Sequence, residues 1–157
     1  MMYDTAARIG EILGIKIKHL NLDCSKPFVY LHGKGGKRRT VYLLPRAVTN
    51  IKGFIRENHG ENPKPDDYLF YSRVGGNKGM LTEPAIDKRI KKYAVAAHEK
   101  CSEVPVDTHA HQFRHAKASH WLEDGINVVQ ISFLLGHENL NTTMKYLDIT
   151  NEEKVKA

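Results

Sequence analysis

Four short patterns in this sequence carry side chains that could act on an anion. His111-Gln112-Phe113-Arg114 places an imidazole and a guanidinium at i and i+3, positions that share one face of a helix. At a helix N-terminus that pair would meet a negative ligand together with free backbone amides. Leu134-Leu135-Gly136-His137 ends an apolar stretch on a glycine, so the histidine after the turn is aimed rather than spread along a surface. Tyr146 follows nine residues later. A phenol titrates near pH ~10 and is a poor nucleophile until a base or nearby cations favour the phenolate. Arg8 stands in an apolar run with Glu11 three positions on. Burying it would be costly unless it met an anion or a carboxylate. Each pattern has a plain alternative: a solvated basic face, a histidine favouring a helix dipole, a core tyrosine, a structural ion pair.

The elements that must carry these residues are mostly helical. Ala6, Ala7, Ile9, Ile12, Leu13 and Ile17 recur at three- and four-residue spacing, which predicts an opening helix over residues 6–17 with Arg8 inside it. Residues 27–44 read as a β-hairpin. Phe28-Val29-Tyr30-Leu31 and Thr40-Val41-Tyr42-Leu43 are β-rich, and glycines at the tip supply the positive φ of a tight turn. Lys34, Lys37, Arg38 and Arg39 crowd that tip. Pro45 can open a helix with Val48, Ile51 and Ile55 on one stripe. A polar loop over 58–67, a short extended segment over 68–71 and a Gly-rich basic loop over 72–79 follow. Thr82 is expected to cap a helix buried through Ile86, Ile90, Tyr93, Ala94 and Ala97, with Pro84 in its first turn. Thr108 is expected to cap the next helix, which ends at Gly125. Short helices over 127–135 and 141–147 precede a charged tail over 150–157. The expected fold class is mainly α with one small antiparallel sheet, an α+β arrangement.

Composition bounds the rest. The chain has 157 residues, enough for one domain with a real core. Cys24 and Cys101 form neither a disulfide framework nor a metal-ligand spacing. No apolar run is long enough to span a bilayer, and the first residues lack a signal-peptide pattern. A cytoplasmic protein is expected. Lys plus Arg is 24 against 18 acidic residues, a net charge of +6. That balance favours polyanions, chiefly nucleic acid.

In chain order, Arg8, Lys34, His111 with Arg114, His137 and Tyr146 together resemble the tyrosine recombinase (phage integrase) family of DNA breaking and joining enzymes. The quoted segments are Ala7-Arg8-Ile9-Gly10-Glu11, Gly33-Lys34-Gly35, His111-Gln112-Phe113-Arg114-His115 and Leu134-Leu135-Gly136-His137, with Tyr146 completing the series. The 23-residue spacing from Arg114 to His137 also matches, and the resemblance spans residues 5–148. Two departures stand out. Thr5-Ala6-Ala7 precede Arg8 where the family often has a glycine, and Lys37 competes with Lys34 as the family's catalytic lysine.

The resemblance implies a fold like the family's catalytic domain and metal-free phosphoryl transfer without a cofactor. Tyr146 would attack a DNA phosphate and form a 3′-phosphotyrosyl link. Arg8 and Arg114 would hold the non-bridging oxygens, His111 would assist proton removal, Lys34 would protonate the leaving 5′-oxygen and His137 would hydrogen-bond the phosphate. Glu11 would orient Arg8 from behind. The partner would be double-stranded DNA, with no membrane, near the nucleoid, and a tetramer on DNA in the full-length protein. Residues 1–157 would be a single catalytic domain, as a fragment lacking an N-terminal DNA-clamping domain and the first catalytic-domain helices. Such a piece is expected to bind DNA weakly, through Lys37, Arg38, Arg39, Arg73, Lys78, Lys88, Arg89, Lys91 and Lys92.

Other readings differ in what they predict. His109, His111, His115 and His120 crowd one segment, but no adjacent glutamate gives the H-E-x-x-H zinc pattern. Asp66-Asp67 lacks the partner motif of a two-metal nuclease. A basic remnant that binds DNA without cutting it shares the salt dependence of the enzyme but not its covalent chemistry. A purely structural helical domain predicts neither.

Overall fold

In the computed structural model, which describes residues 1–74, 78–137 and 139–147, seven helices surround two small antiparallel sheets. The side chains of Lys145 and Tyr146, residues 75–77 of the 72–79 loop and the tail over 150–157 lie outside the described residues. The helices are α1 (Met2–Thr5), α2 (Ile9–Leu13), α3 (Pro45–His59), α4 (Glu83–His98), α5 (Ala110–Glu123), α6 (Val128–Leu135) and α7 (Leu140–Tyr146). Three strands, β1 (Leu20–Asn21), β2 (Phe28–His32) and β3 (Arg38–Tyr42), pair in sequence order. A second pair, β4 (Tyr71–Ser72) and β5 (Gly79–Met80), joins Tyr71 to Met80.

The expected β-hairpin over 27–44 is present, with Gly35 and Gly36 at positive φ in its tip. Its register sets Val29 opposite Val41 and Leu31 opposite Arg39. Val29 and Leu31 are fully buried, so Arg39 shares the core-facing side of the hairpin. β1, too short for a pattern, escaped the sequence reading, as did the β4–β5 pair.

The predicted opening helix is broken. Ala6 adopts a left-handed backbone, with φ 47° and ψ 27°, and ends α1. Arg8 is then extended, with φ −65° and ψ 148°, and caps α2 rather than lying inside a helix. Ala6 is one of the three residues before Arg8, and its left-handed backbone strains a residue that has a Cβ, by about 1–2 kcal/mol. Arg8 is also half-exposed, so the expected cost of burying it does not arise.

Smaller corrections concern caps and stripes. His109, not Thr108, is the N-cap of α5, because the Thr108 hydroxyl is used on Pro105 O at 2.6 Å. Thr82 does occupy the N-cap of α4, but no side-chain hydrogen bond accompanies it. Tyr93 is exposed rather than part of the α4 stripe, which buries only Ala94 fully.

Two apolar clusters flank the centre of the molecule. One joins Ile12 and Ile15 to Val29 and Leu31 of the sheet and to Ala47 and Ile51 of α3. The other joins Ala6, Ala118, Ile131 and Leu135, with Trp121 and Leu122 against them. Each fully buried leucine or isoleucine contributes about 1.5–3 kcal/mol. Ala6 belongs to the second cluster and Ala7 to the first, so the break in the opening helix lies where the two meet.

Candidate active site

Beside the break at Ala6 and Ala7 opens a cavity of about 1100 Å³, with Ala7 in its wall. The start of α2, the β2–β3 tip, the start of α5, the turn after α6 and the start of α7 all line it. Arg8, Lys34, His111, Arg114 and His137 face this one space, with Glu11 behind them. Lys37, Arg38 and Arg39 line it too, so either hairpin lysine reaches the same cavity. Asn139 and Thr142 bring in α7, the helix whose last residue is Tyr146. The Tyr146 side chain itself is outside the described residues.

Local chemistry explains how α6 aims His137. Asn127 caps the helix, its side chain accepting from Gln130 N at 2.9 Å. At the other end Gly136 takes a left-handed φ of 65°. Gly136 N donates to Phe133 O and His137 N to Ser132 O, both at 3.0 Å. This paired pattern ties off two of the terminal carbonyls. The next two are taken by arginines: Arg39 Nη1 donates to Leu134 O and Arg114 Nη2 to Leu135 O, each at 2.7 Å. Every carbonyl of the last turn is satisfied, and the imidazole that follows has a fixed backbone.

Arg114 is 1% exposed. It lies one turn into α5, whose start is held by Ala110 N donating to Asp87 Oδ1 at 3.1 Å and by His109 N donating to Gln112 Oε1 at 2.9 Å. Besides Leu135 O, its guanidinium donates to Ala6 O and, at 3.2 Å, to His137 Nε2. The left-handed turn at Ala6 thus delivers a carbonyl to the buried cation.

Glu11 serves a second arginine besides Arg8: its nearest side-chain partner is Arg39. Arg39 Nη2 donates to Oε2 at 3.0 Å and Nε to Oε1 at 3.3 Å, whereas Arg8 Nη1 stands 3.9 Å away. The Arg8 backbone N–H does reach Glu11 Oε2, at 2.7 Å. Burial opposes the charge on Glu11, but Arg39, the Arg8 amide and Arg114 outweigh it and hold the carboxyl below its ordinary range. Arg39, read from the sequence as a DNA-facing residue, is therefore a brace between the hairpin, α2 and α6. Replacing it with methionine strips a buried carboxylate of two hydrogen bonds, and Arg39→Met is expected to lower unfolding stability by about 3 kcal/mol. Urea titration measures this, and Glu11→Gln on top of Arg39→Met should recover part of the loss. Equal stability of Arg39→Met and the parent would contradict the brace.

The two histidines sit in a positive field. His137 is pushed down to about 4, first by burial and then by Arg114, Arg8, Arg39 and His111. His111 is lowered as well, first by desolvation and then by Arg114, His109, His115 and Arg8. Both are neutral at pH 7. The unfolded chain takes up its histidine protons near pH 6.5, but folded His137 does so only near 4, so acid favours unfolding across that window. Stability is expected to fall as pH drops from 6.5 to about 4, and less so in His137→Gln. Denaturant titrations at pH 7 and pH ~4.5 compare the two slopes; identical slopes would refute the assignment.

Other proposed contacts lie elsewhere. Arg73 Nη2 donates to Asn58 Oδ1 at 3.0 Å, and Lys78 Nζ lies 3.1 Å from Asp67 Oδ2, away from the cavity. Asp66 pairs with Lys18 at 2.5 Å. Among the described residues no group of three or more His, Cys, Asp or Glu side chains is placed to hold a metal ion, and no helix is long and apolar enough to cross a membrane. The sequence reading missed Thr143, which is fully buried and bonds His137. It also missed Asp87 and Glu83, the latter an acid in the cavity wall. The sequence shows the pair Thr142-Thr143 but nothing that marks either as the partner of an imidazole.

Fold and site together define the class: the chain belongs to the phage integrase family, whose model matches residues 1–153. Among its relatives, it is 34% identical to tyrosine recombinase XerA of Pyrococcus furiosus over all of this chain and 51% of that protein. It is 30% identical to tyrosine recombinase XerC of Chlamydia caviae over 98% of this chain and 46% of that one. The chain thus spans about half the length of the curated relatives it matches. The crystal structure of XerA recombinase superposes with a TM-score of 0.74 at 22% identity, covering 99% of this chain and 52% of that one. XerH site-specific recombinase, in its pre-cleavage complex with difH substrate, gives 0.73 at 24% identity, with 99% and 42% covered. These likenesses fix the fold as that of tyrosine recombinase catalytic domains.

Proposed function

We propose that this chain carries the catalytic machinery of a site-specific DNA recombinase, which cuts and rejoins DNA strands through a 3′-phosphotyrosyl intermediate. One observation carries the reading most: Arg8, Lys34, His111, Arg114 and His137, drawn from separate elements, line a single strongly basic cavity in a member of this family. Among the described lining residues, the cations Arg8, Lys34, Lys37, Arg38, Arg39 and Arg114 face only two carboxylates, Glu11 and Glu83.

In the proposed reaction, the Tyr146 oxygen attacks phosphorus and the bond to the 5′-oxygen breaks. Neutral His111 accepts the phenolic proton. Lys34 gives a proton to the leaving 5′-oxygen, and Lys37 is the alternative donor. Arg8 and Arg114 hold the non-bridging oxygens, where forked guanidinium geometry suits phosphate. His137 adds a hydrogen bond once its ring has taken a proton from solvent, which the negative charge of an entering phosphate favours. A 5′-hydroxyl from another strand reverses the step, so phosphodiester energy is conserved and no nucleotide cofactor is needed.

The proposed partner is double-stranded DNA, gripped by the hairpin cations, by Arg73 and Lys78 and by the basic α4 face. Residues 1–157 would act as one catalytic unit of a longer protein that adds a DNA-clamping domain and assembles as a tetramer on DNA. Action on chromosomal or mobile-element DNA in the cytoplasm, at the nucleoid, follows from that reading.

The test uses the intact parent protein and nicked duplexes drawn from the ends of its own element. A denaturant-resistant protein–DNA adduct on the 3′ side is expected. No adduct, despite binding that weakens steeply with salt, would replace the enzyme with a DNA-binding remnant.

A further inference from the structure

The hydrogen bonds of His137 fix more than its position. Its Nε2 lies 3.2 Å from Arg114 Nη2, and a guanidinium only donates. Nε2 must therefore offer its lone pair, and the ring proton belongs on Nδ1. Nδ1 lies 2.7 Å from Thr143 Oγ1. Thr143 is fully buried in α7, three positions before Tyr146, and the backbone on the His137 side is locked by the turn after α6. Neither end of this contact can drift independently of its helix.

We infer that Thr143 is a positioning residue, which holds His137 as the Nδ1–H tautomer and thereby ties the docking of α7 to the phosphate-binding arginine. The inference deepens the recombinase reading and rests on it for its catalytic consequence. With Nδ1–H committed to Thr143, a second proton can enter only at Nε2, on the Arg114 side of the ring. The cations acting on the ring are Arg114 from α5, Arg8 at the cap of α2 and Arg39 from β3, with His111 beside them, and Glu11, Glu83, Lys34 and Lys37 line the same cavity. Their field is positive and keeps the ring neutral. A phosphate held by Arg8 and Arg114 offsets it, and Nε2–H then becomes a donor to a non-bridging oxygen. If α7 lifts away, Nδ1 loses its acceptor and the ring loses its preference. The helix that carries the proposed nucleophile and the group that binds the phosphate are in this way set by one contact.

The experiment has two arms. In the first, the full chain is labelled with 15N-histidine and His137 is identified with a His137→Gln copy. Long-range 1H–15N spectra near pH 7 are expected to show His137 protonated at Nδ1 and bare at Nε2. Thr143→Val, which keeps shape and removes the acceptor, should give a mixture of tautomers. Thr143→Ser should restore the parent pattern. A parent spectrum with the proton on Nε2 would overturn the proposal whether or not the variants fold. So would an unchanged pattern in folded Thr143→Val.

In the second arm, the intact parent protein forms its adduct on nicked duplex in a single turnover. Losing a partner that orients a metal-ligating imidazole costs about 10–100-fold, and a loss of that order is expected for Thr143→Val, with recovery in Thr143→Ser. An undiminished rate would overturn the catalytic consequence. If the parent forms no adduct, the recombinase reading fails, and the spectra alone still decide the tautomer.

Discussion

Tyr146→Phe in the intact protein is expected to abolish the denaturant-resistant DNA adduct while leaving DNA binding nearly intact. The substitution removes one oxygen. If that oxygen is the atom that joins phosphorus, no second phenol on the helix Leu140–Tyr146 can replace it, and the loss is complete rather than graded. Affinity should fall by no more than about tenfold, since one hydroxyl hydrogen bond is worth about 1 kcal/mol. Thr143 anchors α7 to His137, a contact that this substitution leaves in place. Denaturing gels of both proteins on the same nicked duplex, beside binding titrations at several salt concentrations, separate the two quantities. A persistent adduct in Tyr146→Phe would move the nucleophile elsewhere.

Arg114→Lys is expected to fail twice. The guanidinium is buried and holds Ala6 O, Leu135 O and the His137 ring at once. A lysine ammonium is a point charge on a flexible stem and cannot span those acceptors. Each carbonyl left unpaired costs about 1–3 kcal/mol, so the unfolding free energy should drop by about 3 kcal/mol. The chemical step should slow by about 10²–10³-fold, the usual effect of removing one preorganised donor from a developing charge. Urea unfolding and single-turnover adduct formation measure the two effects separately. A stable variant with less than a tenfold loss in rate would deny Arg114 both roles.

The parts of this molecule that were legible in the sequence are the ones built locally. The hairpin follows from two β-rich runs around glycines, α6 from Asn127 and Gly136 at its ends, and the pairing of His111 with Arg114 from helical spacing. What was lost depends on distant partners. Ala6 and Ala7 read as helix formers, yet tertiary demand breaks the chain there because Arg114 takes the Ala6 carbonyl. Arg39 read as one more cation at a basic tip. Its inward face was in fact countable, since it lies two residues from Val41 on the side that pairs with Val29 and Leu31. What the spacing did not contain was Glu11 as its partner, 28 positions away. Thr143 was illegible for the same reason: a buried threonine on a short helix has no sequence mark that separates core packing from a bond to an imidazole.

The C-terminal end of α6 carries about half a negative charge, as any helix of its length does. Here that end is not left to water or to a lysine in its own last turn. Its final two carbonyls receive Arg39 from the hairpin and Arg114 from α5. Two guanidiniums that would otherwise repel each other are thus gathered beside the cavity before any phosphate arrives. The helix serves as a resident counterion, a built-in stand-in for the charge of the DNA. An arriving phosphate finds cations already in place and need not assemble them. The strength of that stand-in depends on how well the last turn of α6 is formed. Substitutions at the exposed positions Phe133 and Leu134 should therefore tune how tightly the site grips an anion.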